Sequence, residues 1–175
     1  MKSEKNFREK IVKDIQSCFQ KMNIEILNVE ESKENYVIKS EIDFKSFKMH
    51  IVMTYLMKKE IIAVIIEFTN LIPEHRFNDI YDITNRINTM LMDIGHFKLS
   101  PKTGKILLCT GIDVANGFLD ICQFEELIKR IIGQGEICYE IIDRVAFYNI
   151  CPDEAWRDCK CQLHPIADNE NPTLH

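Results

Sequence analysis

The order of apolar and polar residues predicts one helix followed by an antiparallel meander. Over residues 7–22, apolar positions recur at three- and four-residue steps, as they do on the buried face of a helix. Polar and apolar residues then alternate in segments 24–29, 36–44 and 47–57, which is typical of strands with one buried face. Segment 61–66 is apolar at every position and is therefore expected at the centre of the sheet. Because no helical pattern interrupts these segments, we expect three or four antiparallel strands.

The next part of the chain predicts a second helix and a hairpin. Pro73 suits the first turn of a helix, and an apolar stripe continues from there to Gly95, which is expected to end the helix. Segments 96–100 and 105–110 have strand character. They flank residues 101–104, whose proline and glycine suit a tight reversal, so we expect a two-stranded hairpin.

A third helix is predicted after Asp120, whose side chain can cap its N-terminus. Gly133 and Gly135 together cost about 2 kcal/mol of helix propensity, so we expect a kink or a short break there. The periodicity ends after Ile150, and we expect the residues beyond it to be loosely docked or disordered.

The composition supports one domain and argues against several classes of partner. The chain has 175 residues, 46% of them hydrophobic, which is enough for one core. We therefore predict an α+β fold in the order α-β-β-β(-β)-α-β-β-α, with a single domain over residues 1–150 and a tail containing cysteine and proline over residues 151–175. A net charge of −5 offers no basic surface for nucleic acid. The N-terminus lacks the apolar region of a signal peptide, and no apolar run approaches the roughly 20 residues that cross a bilayer, so we expect a cytoplasmic protein without membrane contact.

The cysteines are expected to be free thiols. There are seven of them, an odd number, in a chain long enough to fold without disulfides. Cys18, Cys109 and Cys138 occupy apolar positions of periodic segments. A thiol in such a position usually behaves as a small, inert hydrophobic group.

Four residues in the tail could bind a metal. Cys151, Cys159, Cys161 and His164 are soft or borderline ligands, and zinc accepts such a set tetrahedrally. Their spacing is not that of the common Cys-x2-Cys knuckle. A zinc site, a redox-active thiol pair and a tail without chemistry therefore remain alternatives. The first two would make the protein a small metal or redox sensor.

We find no pattern typical of an enzyme and predict that the protein has neither catalytic residues nor a cofactor. The histidines His50, His75 and His96 lie in separate segments, without the motifs of serine hydrolases or zinc proteases around them. Gly111 and Gly117 do not form a phosphate-binding loop, because the lysine and hydroxyl residues of that motif are missing.

Segment 85–108 carries the pattern that relates the chain to a family. Asn85 and Asn88 lie three residues apart on the second helix, Gly95 and Phe97 begin the next strand, and Gly104 lies in the hairpin turn. This segment resembles the YbjN family, described as sensory transduction regulators, whose fold is similar to that of type III secretion chaperones. The resemblance implies a bacterial homodimer that holds a protein or peptide client and catalyses no reaction. The chain departs from the chaperone pattern in its possible fourth strand before the second helix and in its cysteine-rich tail.

Two sets of residues have more than one interpretation. The first set is a flexible apolar stripe along the third strand and one residue of the next hairpin. It could contact a client, or it could be core. Its members are Met49, Met53, Tyr55, Met57 and Phe97. Asn85 and Asn88 could contact a ligand, or they could cap or brace the adjacent hairpin by side-chain hydrogen bonds, which is the interpretation we favour.

Overall fold

A computed structural model describes residues 2–43, 47–114 and 119–163, with side chains over 9–43, 47–114 and 119–159. The described part contains four α-helices, six strands and a short 3-10 turn, which confirms the predicted α+β class. In chain order the elements are α1 (Lys2–Lys21), β1 (Glu25–Glu31), β2 (Asn35–Asp43), β3 (Lys48–Leu56), β4 (Ile61–Leu71), the 3-10 turn (Glu74–Arg76), α2 (Phe77–Met90), β5 (His96–Ser100), β6 (Lys105–Asp113), α3 (Ile121–Phe147) and α4 (Pro152–Leu163).

The six strands form one antiparallel sheet in the order β1-β2-β3-β4-β6-β5. The first four strands are the predicted meander, and β4 occupies a central position, as its apolar sequence indicated. The later hairpin joins the sheet through β6 rather than β5, so β1 and β5 are the two edges. Both hairpin strands follow α2, which crosses over the sheet between β4 and β5.

One face of the sheet, which we call the inner face, packs against the helices. Side chains from β2, β3, β4, β5 and β6 on this face join those of α1, α2 and α3 in one hydrophobic core. Its centre is aromatic: Tyr139 of α3 stacks on Phe68 of β4 with ring centroids 4.0 Å apart and planes 7° from parallel. Phe47 lies 4.8 Å from the same tyrosine ring, and Phe97 lies 5.9 Å from Phe68. These rings connect α3 to β4, to β5 and to the residue before β3.

The predicted break in the third helix is wrong, because α3 is continuous from Ile121 to Phe147. Asp120 caps it as predicted, accepting hydrogen bonds from the backbone N–H groups of Cys122 (2.9 Å) and Gln123 (3.2 Å). Gly135 explains why the helix tolerates its glycines: a Cβ there would lie 3.1 Å from Leu108 Cδ2, so the missing side chain lets α3 approach the sheet closely. Burial against the sheet offsets the lost helix propensity.

The prediction of a loosely docked tail is wrong for residues 152–163, which form α4. Ala155 and Cys159 are buried one helical turn apart, and Arg144 of α3 binds Asp158 at 2.5 Å. Arg86 of α2 binds Asp153 at 2.7 Å. Helix α4 is therefore packed on α2 and α3 as part of the domain. None of the helices in the described part is both long and apolar enough to cross a membrane.

The second helix ends earlier than predicted. Its last helical residue is Met90, five positions before Gly95, and the intervening residues form the turn into β5. At the other end, Pro73 precedes the 3-10 turn rather than the α-helix itself. Arg76 then fixes this corner, because its guanidinium donates to the carbonyl oxygen of Val145 in the last turn of α3 and to that of Ile150 in the connection to α4.

Candidate protein-binding surfaces

The five side chains predicted to contact a client lie in the core. Their exposed fractions are 0% for Met49, 1% for Met53, 3% for Tyr55, 7% for Met57 and 3% for Phe97. All five belong to the hydrophobic core beneath the helices. The prediction that they form a client-binding surface is therefore contradicted in this structure. The alternative interpretation, that these side chains are core, is correct.

Asn88 braces the hairpin, as favoured from the sequence. Its amide nitrogen donates to the carbonyl oxygen of Phe97 at 2.8 Å, and its amide oxygen accepts from the backbone N–H of Phe97 at 2.6 Å. One side chain thus satisfies both backbone groups of a β5 residue. Asn85, one turn earlier, is exposed, and its side chain makes no hydrogen bond among the described residues. The predicted bracing role holds for Asn88 and not for Asn85.

The two asparagines allow a matched test of this brace. We expect Asn88→Ala to lower the free energy of unfolding by about 2 kcal/mol, because two partly buried backbone groups of Phe97 lose their partner. Asn85→Ala is the control, and its effect should stay within about 0.5 kcal/mol, as for other exposed positions. Urea denaturation of both variants measures the difference. Equal effects of the two substitutions would show that the Asn88 brace between α2 and β5 contributes nothing to the free energy of unfolding.

Gly95 and Gly104, the other two residues of the predicted structural motif, both require positive φ. Gly95, at φ +78°, ends the turn into β5, and a Cβ there would lie only 2.9 Å from the carbonyl oxygen of Cys109. Gly104, at φ +67°, closes the hairpin turn and accepts a hydrogen bond from the N–H of Ile72 at 2.7 Å. Together with Asn88 they hold the β5–β6 hairpin against its neighbours. The motif in segment 85–108 is thus architectural.

The predicted metal ligands are only partly described. Cys151 is exposed just before α4, whereas Cys159 is buried two turns along it, facing α3. The side chain of Cys161 and the whole of His164 lie outside the described residues. Within the described part, no three His, Cys, Asp or Glu side chains are placed to hold a metal ion. A metal site using all four residues stays a prediction.

Burial lowers the reactivity of four of the described thiols. Burial raises the pKa of Cys18 to about 11, and burial together with the nearby Cys159 raises the pKa of Cys138 to about 12. Burial also raises the thiol pKa of Cys109 and Cys159. Since the thiolate is the reactive form, these four groups are poor nucleophiles near neutral pH. This agrees with the inert role expected for Cys18, Cys109 and Cys138.

The strand β1 presents an open edge, which we call the β1 edge. Among the described strands it pairs with β2 alone, and six of its seven residues are exposed. Leu27, at a bulge in the pairing with β2, is 55% exposed, and Val29 is 37% exposed. Natural edge strands are usually shortened, covered or protected by charge. Here the protection comes from three glutamates, Glu25, Glu30 and Glu31, and β1 contains no basic residue.

The second surface is the outer face of the sheet, opposite the helices. It carries apolar side chains in its centre that neither belong to the core nor pack against it. These are Val37 of β2, Val52 and Leu56 of β3, Ile61, Ala63 and Ile65 of β4 and Leu107 of β6. They are only partly buried, and no described helix lies over them. Within the described part of the chain, helices cover only the inner face, and the outer face has a partly accessible apolar centre.

Charged residues border this centre at one end. Glu41 accepts from Lys48 at 2.9 Å and lies 3.0 Å from His50 Nε2, and Lys105 binds Glu67 at 2.6 Å. The hydrogen bond from Lys48 is the main reason that the pKa of Glu41 lies below its usual range. This carboxylate therefore stays ionised near neutral pH. The border combines both signs of charge, so the outer face has no uniform attraction for a polyanion or a polycation.

Sequence reasoning missed both surfaces, although signals for them were present. Segment 61–66 is apolar at every position, which means that both faces of β4 are apolar and not only the face that meets the helices. The acidic composition of β1 with its two exposed apolar residues is the pattern of a charge-protected edge.

Comparison of the chain with family models, with curated proteins and with solved structures finds no match.

Proposed function

We propose that this domain is a non-enzymatic protein-binding module, chaperone-like or regulatory, that holds an extended client segment along the β1 edge. The exposed, unpaired edge of β1 is the observation that carries the proposal. A sheet edge offers backbone N–H and C=O groups to a strand of another chain, and side-chain pockets beside it then select the sequence. The resemblance of segment 85–108 to the YbjN family supports the same role.

The charge of the β1 edge favours a basic client. If two copies of β1 paired antiparallel about Asn28, Glu25 of each would lie opposite Glu31 of the other, and like charges directly opposite destabilise a strand pair. A client segment with lysine or arginine at alternate positions has no such cost. Leu27 and Val29 would contact its apolar residues, because they are the exposed apolar side chains of this strand.

A labelled peptide tests the client site directly. We expect a fluorescein-labelled peptide of alternating lysine and valine to bind more tightly than one of alternating glutamate and valine, as measured by anisotropy. Leu27→Lys should weaken binding of the basic peptide about tenfold, since it removes an apolar contact and adds a repulsive charge. Met90→Lys, at a residue 63% exposed on α2, is the matched control and should leave the affinity unchanged.

Amide signals locate the bound peptide. We expect the ¹H–¹⁵N signals of β1 to shift and its amides to gain protection from hydrogen exchange, while those of β5 remain as they were. Equal affinity for the two peptides, or shifts spread evenly over the sheet, would refute the proposed client site. The proposal also includes the homodimer implied by the family resemblance, and its interface is treated below.

A further inference from the structure

We propose that the outer face of the sheet is the interface of a symmetric dimer, in which two copies stack face to face about a two-fold axis parallel to the strands. This inference rests on the homodimer in the proposed function and not on the client site at the β1 edge. The occupant of the apolar face is thus a second copy of this chain. Three features of the outer face carry the inference: its apolar centre, its size and the distribution of its charges.

The strand register arranges the outer face in rows across the sheet. The first row runs from β1 to β5 through Glu25, Glu41, His50, Glu67, Leu107 and Lys98. The second runs through Asn28, Lys39, Val52, Ile65, Cys109 and His96. The third contains Glu30, Val37, Thr54, Ala63 and Gly111, and the fourth contains Asn35, Leu56, Ile61 and Asp113. Apolar residues occupy the middle of the second and fourth rows, and in the third row Val37 and Ala63 lie on either side of Thr54.

The size of this face suits a specific interface. Six strands spaced about 4.8 Å apart and four rows of alternate residues, at about 3.3 Å per residue, span an area of roughly 500–800 Å². A standard interface buries about 800 Å² of each partner. Stacked sheets in proteins pack about 10 Å apart with their strands nearly aligned, so two such faces can interdigitate their side chains across the contact.

The ends of the first row carry opposite charges. On the β1 side this row begins with Glu25, whereas on the β5 side it ends with Lys98. A two-fold axis along the strands keeps each row in place and exchanges its ends. Glu25 of one copy then lies over Lys98 of the other, within the same row, and the contact occurs twice. Electrostatic complementarity of this kind fixes the orientation of a complex.

The centre of the face is complementary under the same symmetry. The axis passes between β3 and β4, so Val52 of one copy meets Ile65 of the other in the second row. In the third row, Val37 lies over Gly111, which has no side chain and has only Ile61 within 4 Å of an added Cβ. An axis perpendicular to the strands would instead bring the acidic β1 side of one copy over that of the other.

The dimer leaves both client sites accessible. In face-to-face stacking the backbone groups of an edge strand point sideways in the plane of its own sheet, away from the contact. Each β1 edge therefore stays free to pair with an extended segment. A single client with two basic segments could engage both edges of one dimer, which raises its effective affinity without further contacts.

Sedimentation velocity of the full chain over a range of concentrations tests the interface. We expect a concentration-dependent dimer, and we expect Ile65→Lys to raise its dissociation constant at least about 30-fold, the effect of a central interface residue. Met90→Lys introduces the same charge on α2, away from the sheet, and should leave the dissociation constant unchanged. Circular dichroism of both variants confirms that they are folded. A monomeric unmodified chain, or equal effects of the two substitutions, would overturn the proposal.

A charge reversal tests the orientation. Glu25→Lys and Lys98→Glu should each weaken the dimer about fivefold, and the double variant should regain most of the affinity, because each interface pair is then reversed rather than broken. Additive loss in the double variant would exclude the axis parallel to the strands. Peptide anisotropy separates this inference from the proposed function: Ile65→Lys should keep its affinity for the basic peptide, and Leu27→Lys should remain dimeric.

Discussion

Tyr139→Ala is expected to lower the free energy of unfolding by about 3–5 kcal/mol, the usual cost of removing a large buried aromatic side chain. Tyr139 is fully buried at the centre of the aromatic cluster and stacks on Phe68, with Phe47 also in contact. Aromatic pairs add about 0.5–1.5 kcal/mol to the area they bury, so the loss should fall at the upper end of that range. Because domains of this size are stable by only about 5–15 kcal/mol, the variant should be close to unfolding at moderate temperature.

Tyr139→Phe separates the ring from its hydroxyl. Burial raises the pKa of Tyr139 well above its ordinary value, so the hydroxyl is protonated in the folded protein at any pH near neutrality. We expect the phenylalanine variant to stay within about 1 kcal/mol of the unmodified protein, because it keeps both ring contacts and loses at most one hydrogen bond. Urea denaturation of both variants measures the comparison. If Tyr139→Phe were as destabilising as Tyr139→Ala, the hydroxyl and not the stacking would hold α3 to the sheet.

The local signals in the sequence were sufficient for most of the fold. Alternation identified the strands, the fully apolar segment 61–66 identified the central one, and Asp120 marked the start of α3. The pattern could not show that α3 passes Gly133 and Gly135 without a break. That outcome depends on the close approach of Gly135 to Leu108 across the core, a tertiary contact that overrides local propensity.

Helix α4 was missed because its apolar stripe is short. Among the side chains of α4 that the structure describes, which end at Cys159, only Ala155 and Cys159 are buried, four residues apart. The helix start was nevertheless marked by Pro152 at its first position and by Asp153 and Glu154 in its first turn, as is favourable at a helix N-terminus. Counting such start signals separately from the apolar stripe would have predicted this helix.

The candidate surfaces illustrate a limit of alternation. A two-residue period shows which side chains share a face, but not which face the helices cover. In β3 the methionine face carries Met49 and Met53, while the other face mixes Val52 with polar residues, so the alternation alone allowed the methionines to be core or a client-binding surface. The helices decide between them, because their buried stripes meet the methionine side.

Gly95→Ala and Gly133→Ala are expected to change stability in opposite directions. At Gly95 the backbone has φ +78°, and a Cβ would approach the carbonyl oxygen of Cys109 to 2.9 Å and Thr110 Cβ to 3.3 Å. A left-handed conformation costs a residue with a side chain about 1–2 kcal/mol, and overpacking against rigid backbone costs about 1–3 kcal/mol more. We therefore expect Gly95→Ala to lower the free energy of unfolding by about 2–4 kcal/mol.

Gly133 provides the matched control within the same protein. It lies in the interior of α3, and nothing lies within 4 Å of the position that a Cβ would occupy. Alanine there gains helix propensity without a steric cost, so the free energy of unfolding should rise by about 1 kcal/mol. Urea denaturation of the two variants beside the unmodified protein measures both effects. If both substitutions were destabilising, α3 would not be a continuous helix at Gly133. If both were neutral, the turn into β5 would not require the positive φ that Gly95 supplies. The hairpin held by Asn88 would then be free to shift against α2.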